Sequence, residues 1–295
     1  MLAQAVPHSL GLTRPARRLP VLACDSHMHI FDPRFAPSPH WTRQPPVATV
    51  ADYLRLQERL GIRRTVVVTP STYGTDNACT LDALAQLGDS ARGVAVVSHE
   101  VSLDELDGLA SRGVCGLRLN FVMPQAWGTT TPPMLGTLAA KIAHFDWHIQ
   151  VFAHSAQIAQ METLLARLPV PVVIDHLGLA DPAQGPQAAD AAVLMRLLDR
   201  GGTWLKLSGA YMRSASSGPA YEDMLPLGRA LVQAAPDRLV WGSDWPHTTQ
   251  PAGTVDDAAL VDLLQHWCDG DAATMDKILV DNAARLYGFP AAPPA

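Results

Sequence analysis

Short apolar runs rich in valine, isoleucine and leucine recur along the chain. They fall at residues 21–24, 65–69, 93–97, 116–120, 148–152, 171–175, 203–208 and 238–242. They are continuous rather than alternating, as expected of parallel strands covered on both faces. Between them apolar residues return every three to four positions, predicting helices over 50–60, 77–87, 103–111, 155–168, 190–199 and 221–235. Ser102 and Glu105 read as a capping box, and Gly61, Gly88, Gly113 and Gly201 stand where helices should end. Alternating strands and helices leave two architectures, a closed barrel or an open doubly wound sheet. Eight evenly spaced strands match the barrel count. No GxGxxG follows the first run, which removes the main signal of a dinucleotide-binding sheet. The expected fold is α/β, a single-domain (β/α)8 TIM barrel over residues 21–290, preceded by a tail of residues 1–20 laid against it or left mobile. The proline-rich stretch 32–46 reads as a long first βα loop over the strand ends.

Composition narrows this picture. A chain of 295 residues suits a barrel of about 250 residues with insertions, and 48% hydrophobic residues suffice for a large core. Net charge is −6 and no long Lys/Arg run occurs, which argues against nucleic acid and anionic membrane as partners. Cys24, Cys79, Cys115 and Cys268 are far apart and form no CxxC pair, so a reducing, cytoplasmic setting is expected. No apolar stretch is long enough for a membrane span, and the arginines among residues 14–18 are followed by no signal-like apolar segment.

Polar residues gather at the strand ends. The first strand ends in Asp25-Ser26-His27-Met28-His29 and the fourth in Arg118-Leu119-Asn120. The sixth ends in Asp175-His176, the seventh in Lys206-Leu207-Ser208, and the eighth in Ser243-Asp244-Trp245-Pro246-His247. In a barrel these ends converge on one face, where catalytic groups sit. Period-two spacing aims His27 and His29 the same way. With His176 and Asp244 they could bind a divalent metal or grip a substrate carbonyl. A chance HxH in a chain with eleven histidines is the bland alternative. Asp244 is the candidate general base, against a reading as a turn residue ahead of Trp245-Pro246. Arg118, in an apolar strand, calls for an anion: a substrate carboxylate or an internal carboxylate partner. Lys206 serves equally well as an electrophile or an ion-pair partner. Ser71 and Tyr73 can face substrate, while Asp76 or Thr75 caps the next helix. His154, past the fifth strand, can reach the site or lie at the surface.

The segments DSHMHIFD, GTDNACTLDAL, GLRLNF, PVVIDHLG, WLKLSGAY and VWGSDWPH, in order from about residue 23 to 289, resemble the amidohydrolase superfamily. Within it they are similar to the lactonase branch that holds 2-pyrone-4,6-dicarboxylate lactonase and galactarolactone cycloisomerase. The resemblance implies opening of a carboxylate-bearing lactone. His27, His29 and His176 then polarise the carbonyl, Asp244 activates water, and Arg118 binds the carboxylate. Ser71, Tyr73, Asn120, Arg213, His247 and His154 complete the implied substrate contacts. Members of this branch can work without a tightly bound metal. Here no bridging Lys or Glu is evident and Ser208 stands late in strand seven, so either no cofactor is required or one weakly bound divalent ion, Zn or Mn, sits on His27, His29, His176 and Asp244. Two arginines of the pyrone lactonase pattern are replaced, by Phe121-Val122-Met123-Pro124 and by Leu179, with Arg213 as the expected substitute. The expected partner is a small anionic lactone and the expected assembly a monomer or homodimer. The alternatives are a sugar-acid lactone isomerase or cycloisomerase, a metal-dependent decarboxylase, and a non-catalytic acid-binding protein.

Overall fold

A computed structural model describes residues 5–125, 128–216 and 218–291; residues 1–4 of the expected tail lie outside the described residues. Eight strands form one sheet in sequential order: β1 Cys24–Met28, β2 Arg64–Val68, β3 Ala91–Ala95, β4 Val114–Asn120, β5 His148–Phe152, β6 Val172–Ile174, β7 Thr203–Leu207 and β8 Leu239–Trp241. Every neighbouring pair is parallel. The sheet closes where Met28 bridges Trp245 and the Asp244 N–H donates to the His27 carbonyl at 2.7 Å. The fold is therefore a (β/α)8 barrel, as the periodicity predicts.

Eight helices cover it: α1 Val50–Leu60, α2 Ala78–Leu87, α3 Leu103–Ala110, α4 Pro132–Ile142, α5 Ser155–Leu165, α6 Ala189–Asp199, α7 Leu225–Ala234 and α8 Asp257–Trp267. The Ser102–Glu105 capping box opens α3, and Gly61 ends α1 in the left-handed region at φ 82°. One expectation shifts. The first strand is not residues 21–24 but Cys24–Met28, and Val21 is 73% exposed. The strand therefore runs through the polar residues Asp25, Ser26 and His27. All three are fully buried, since the barrel supplies partners for each.

The two ends of the barrel differ. Inside its lower half, Cys24, Val66, Val68, Val94, Val173, Trp204 and Val240 pack against Leu286 and Tyr287 of the C-terminal helix Asn282–Tyr287 and against Phe289 just beyond it, which together plug that mouth. An apolar plug there leaves the strand C-termini as the open end. A register irregularity in β1 between Asp25 and Met28 then reverses the side-chain parity. Cys24 belongs to the inner cluster, while Asp25 faces outward to the Tyr53 hydroxyl of α1. Past the irregularity His27 faces inward, reaching Lys206 of β7. Gly242 makes room for this. A Cβ there would stand 2.6 Å from His27 Cβ and 2.8 Å from its backbone nitrogen.

The described N-terminal residues lie against this closing seam. The Trp245 indole donates to the Pro7 carbonyl at 2.8 Å, and Leu10 N–H donates to Val255 O at 2.7 Å. All four cysteines are free, and no described helix is long and apolar enough to cross a membrane.

Candidate active site

Four side chains from three strand ends meet at one point. His27 Nε2 lies 3.3 Å from His29 Nε2 and 3.6 Å from Asp244 Oδ1. His29 Nε2 and His176 Nε2 lie 3.5 and 3.8 Å from the same oxygen. His176 and Asp244 both hold left-handed backbone, at φ 52° and 62°. That conformation is costly for a non-glycine residue and persists only where surroundings enforce it. For Asp244 the enforcement comes from its N–H bond to His27 O, and it turns the carboxylate over the barrel mouth. Gly209 leaves room beside His176, since a Cβ there would stand 2.9 Å from Nδ1.

Each group is held from behind. His29 Nδ1 bonds the Val68 carbonyl at 2.8 Å, and His176 Nδ1 bonds Ser208 Oγ at 2.9 Å. The Tyr211 hydroxyl donates to Asp244 Oδ2 at 2.5 Å, which leaves Oδ1 for the histidines. Beneath His27 sits a buried ionic layer. Asp175 accepts from Arg118 Nε at 3.0 Å and Gln150 Nε2 at 3.1 Å. Lys206 Nζ donates to Gln150 Oε1 at 2.7 Å and lies 3.2 Å from His27 Nδ1.

The electrostatics follow from this layering. Burial, then the Lys206 charge, push the His27 pKa well below its usual value, so the ring is neutral near pH 7. Burial also lowers His176. Burial opposes the charge on Asp244, but the surrounding imidazoles outweigh it and hold the carboxyl below the usual range. Asp175 behaves alike: burial is outweighed by His27, Arg118 and Lys206. Burial pulls Lys206 down to about 8.

Above this centre opens a cavity of about 230 Å³ lined by His29, His176, Asp244, Arg118, Asn120 and Ser71, among others. Asn120 Nδ2 donates to Ser71 Oγ at 2.9 Å. Residues 41–46 of the first βα loop form its rim, with Trp41 and Arg43 facing in, and Phe152 and Met212 supply apolar walls.

Several expected substrate contacts lie elsewhere. Tyr73 ends the one-turn 3-10 helix Ser71–Tyr73, whose successive side chains fan apart, so Ser71 faces the cavity while Tyr73 turns under the loop beside Phe31. His154 is exposed at the N-cap of α5. Arg213 is 40% exposed, with Asp181 at 3.8 Å, and Met212 takes the inward place. His247 is buried behind Asp244, against Tyr211 and Asp257. Conversely, Asp175, Tyr211 and Arg43 stand at or beside the centre with no site role expected from the sequence. Asp175 had a signal, an acid closing an apolar strand. Arg43 had none, since a proline-rich loop carries no periodicity to place it.

A barrel with a histidine pair at the end of β1, a histidine after β6 and an aspartate after β8 gathers imidazoles and a carboxylate at the mouth where barrel enzymes keep their catalytic groups. The amidohydrolase family model matches residues 24–289, and the chain belongs to that family of enzymes. It is 35% identical over 275 residues to 4-sulfomuconolactone hydrolase of Rhizobium radiobacter, covering 92% of this chain and 91% of that one. It is 34% identical over 288 residues to 2-pyrone-4,6-dicarboxylate hydrolase of Comamonas testosteroni, covering 93% of each. A solved protein of Agrobacterium tumefaciens superposes with a TM-score of 0.87 at 28% identity, covering 96% of this chain and 99% of that one.

Proposed function

We propose that this enzyme opens a small carboxylate-bearing lactone by water attack. The observation that carries the reading is the convergence of His27, His29 and His176 on Asp244 Oδ1 within 3.5–3.8 Å, on the floor of a cavity that also presents Arg118. The cavity is smaller than the roughly 300–1,000 Å³ of drug-sized sites, which suits a single-ring acid. Arg118 spends only Nε on Asp175, so among the described residues its two terminal nitrogens remain for a substrate carboxylate. Arg43 at the rim stacks on Trp41, with Nη2 3.8 Å from Met123 Sδ. It is the cation best placed to meet a second anionic group, in the role the sequence suggested for Arg213. The names of the two hydrolase relatives, each built on a lactone with acidic substituents, fit this charge pattern.

In this reading the lactone carbonyl lies against the imidazoles and Asp244 Oδ1 holds the water. Asp244 takes the water's proton as oxygen attacks. The tetrahedral species collapses with cleavage of the ring C–O bond, and the proton passes to the leaving oxygen, giving the open hydroxy acid. Three of these donors also suit one divalent ion: His27 Nε2, His29 Nε2 and Asp244 Oδ1 lie 3.3–3.6 Å apart, close to the edges of a tetrahedral set about 2 Å from a common centre, and His176 stands 3.8 Å from the same oxygen. Zn or Mn held by His27, His29, His176 and Asp244 would supply Lewis-acid polarisation of the carbonyl.

The test is a panel of mono- and dianionic lactones, assayed with metal analysis and with chelator, against Asp244→Asn. Ring opening lost by at least about a thousandfold in the variant is the expected result. Native activity in Asp244→Asn removes the assigned base. Deuterium entering recovered lactone from solvent would instead favour an isomerase.

A further inference from the structure

Behind the reacting face of Asp244 runs a continuous chain of buried polar groups. Tyr211 donates its only hydroxyl proton to Asp244 Oδ2 at 2.5 Å. The tyrosine oxygen lies 3.1 Å from His247 Nδ1 and, its proton spent, acts there as acceptor. His247 Nε2 lies 3.2 Å from both carboxylate oxygens of Asp257. Both ring nitrogens therefore face acceptors, the arrangement an imidazolium satisfies. Asp257 opens α8 and accepts the Ser9 hydroxyl from the N-terminal segment. Ser9 in turn accepts from Arg59 Nη2 at 2.6 Å, and Arg59 binds the Leu10 and Gly11 carbonyls. Tyr211, His247 and Asp257 are 7, 2 and 0% exposed, and none lines the cavity.

We infer that Tyr211, His247 and Asp257, closed by Ser9 of the N-terminal segment, form a buried relay that positions the Asp244 carboxylate. The inference rests on the reading of Asp244 as the base. A carboxylate on a left-handed residue has no regular element to orient it. Locking Oδ2 fixes the side-chain rotamer and leaves Oδ1 as the one oxygen aimed at the histidines. The His247 N–H strengthens the Tyr211 bond by polarising the hydroxyl it points at. Asp257 holds the ring in the plane that does so. These are positioning residues: they touch Asp244 or one another, and never the substrate.

The experiment compares Tyr211→Phe, His247→Gln, Asp257→Asn, Ser9→Ala and the double variant Tyr211→Phe/Asp257→Asn in the full chain. The substrates are those lactones of the panel that are opened, 2-pyrone-4,6-dicarboxylate first. A crystal structure of Asp257→Asn gives a readout independent of substrate. Comparable outer-shell losses predict kcat down roughly 10–100-fold for the first three, with KM within about twofold. If Asp257 acts through Tyr211, the double variant is no slower than Tyr211→Phe alone. In the crystal the Tyr211–Asp244 bond is broken or the carboxylate rotated. A folded Asp257→Asn with native kcat, multiplicative losses in the double variant, or an unmoved Asp244 in the crystal overturns the relay. Should Asp257→Asn fail to fold, Ser9→Ala decides, because it leaves every charge in place. A lowered kcat at unchanged KM supports the relay, and native kcat overturns it. Inactive Asp244→Asn beside native relay variants sinks the relay alone. Active Asp244→Asn sinks the base and the relay with it.

Discussion

Asp175→Asn is the substitution whose cost the structure sets most directly. The amide keeps the shape and removes one negative charge from a site with no solvent exposure. Two buried cations depend on that charge, Arg118 with Nε at 3.0 Å and Lys206 with Nζ at 3.7 Å. The amide nitrogen also turns a donor toward one of the groups that now donate to the carboxylate. Breaking a buried pair by removing one partner costs about 3–5 kcal/mol, because the other charge stays buried and uncompensated. Lys206 limits the loss. Its pKa already stands at about 8 because burial opposes its charge, and Asp175 is the largest influence holding it up. Without Asp175 it sheds its proton near neutrality, leaving Arg118 as the stranded charge. The expected destabilisation is therefore about 3 kcal/mol, near the lower end of that range. At about 2 °C per kcal/mol for a chain this long, Tm falls by roughly 6 °C. Urea unfolding at pH 7 measures it, with Lys206→Met and the double variant completing a cycle. The double variant should be less destabilised than the sum of the singles by at least about 1 kcal/mol. A loss under about 1 kcal/mol, or strict additivity, refutes the reading of Asp175 as the common anion of this layer.

Two more outcomes follow from the seam and the buried lysine. Gly242→Ala drives a methyl group to 2.6 Å from His27 Cβ, so β1 must move; about 1–3 kcal/mol of stability and roughly a hundredfold in kcat should be lost, whereas Gly136→Ala, inside α4 with open space around it, should keep the native rate and gain about 0.5–1 kcal/mol in melting assays. Lys206 sets a pH dependence. Its folded pKa, about 8, lies below the usual 10.5, so between those values the unfolded chain binds more protons. Native stability relative to Lys206→Met should therefore rise with pH across that window, by about 3 kcal/mol in all, and be flat below pH 7. A flat difference from pH 7 to 10.5 in urea titrations would show that the ammonium carries no burial cost.

The candidate centre was largely legible because its members close apolar strands. His27, His29, His176 and Asp244 each interrupt or end a buried run, and a barrel brings all such ends together. Arg118 was legible as a cation in want of an anion, and the sequence left open which anion. The structure supplies one, Asp175 on Nε, and the same side chain lines the cavity. Tyr73, His154 and Arg213 lie off the site because their short turns and caps, not strand periodicity, decide where they point.

The sequence by itself determined the eight-fold alternation, the covered parallel sheet and the residue types at the strand ends. Burial periodicity is a local property, readable over a few residues. Only the tertiary structure decided the parity change in β1, the Asp175 layer and the relay behind Asp244. His27 and Lys206 are 179 residues apart, and Ser9 and Asp257 are 248 apart. No local pattern specifies such pairings. They form because a closed barrel buries these polar groups together, and each buried donor or acceptor must then find a partner among the others.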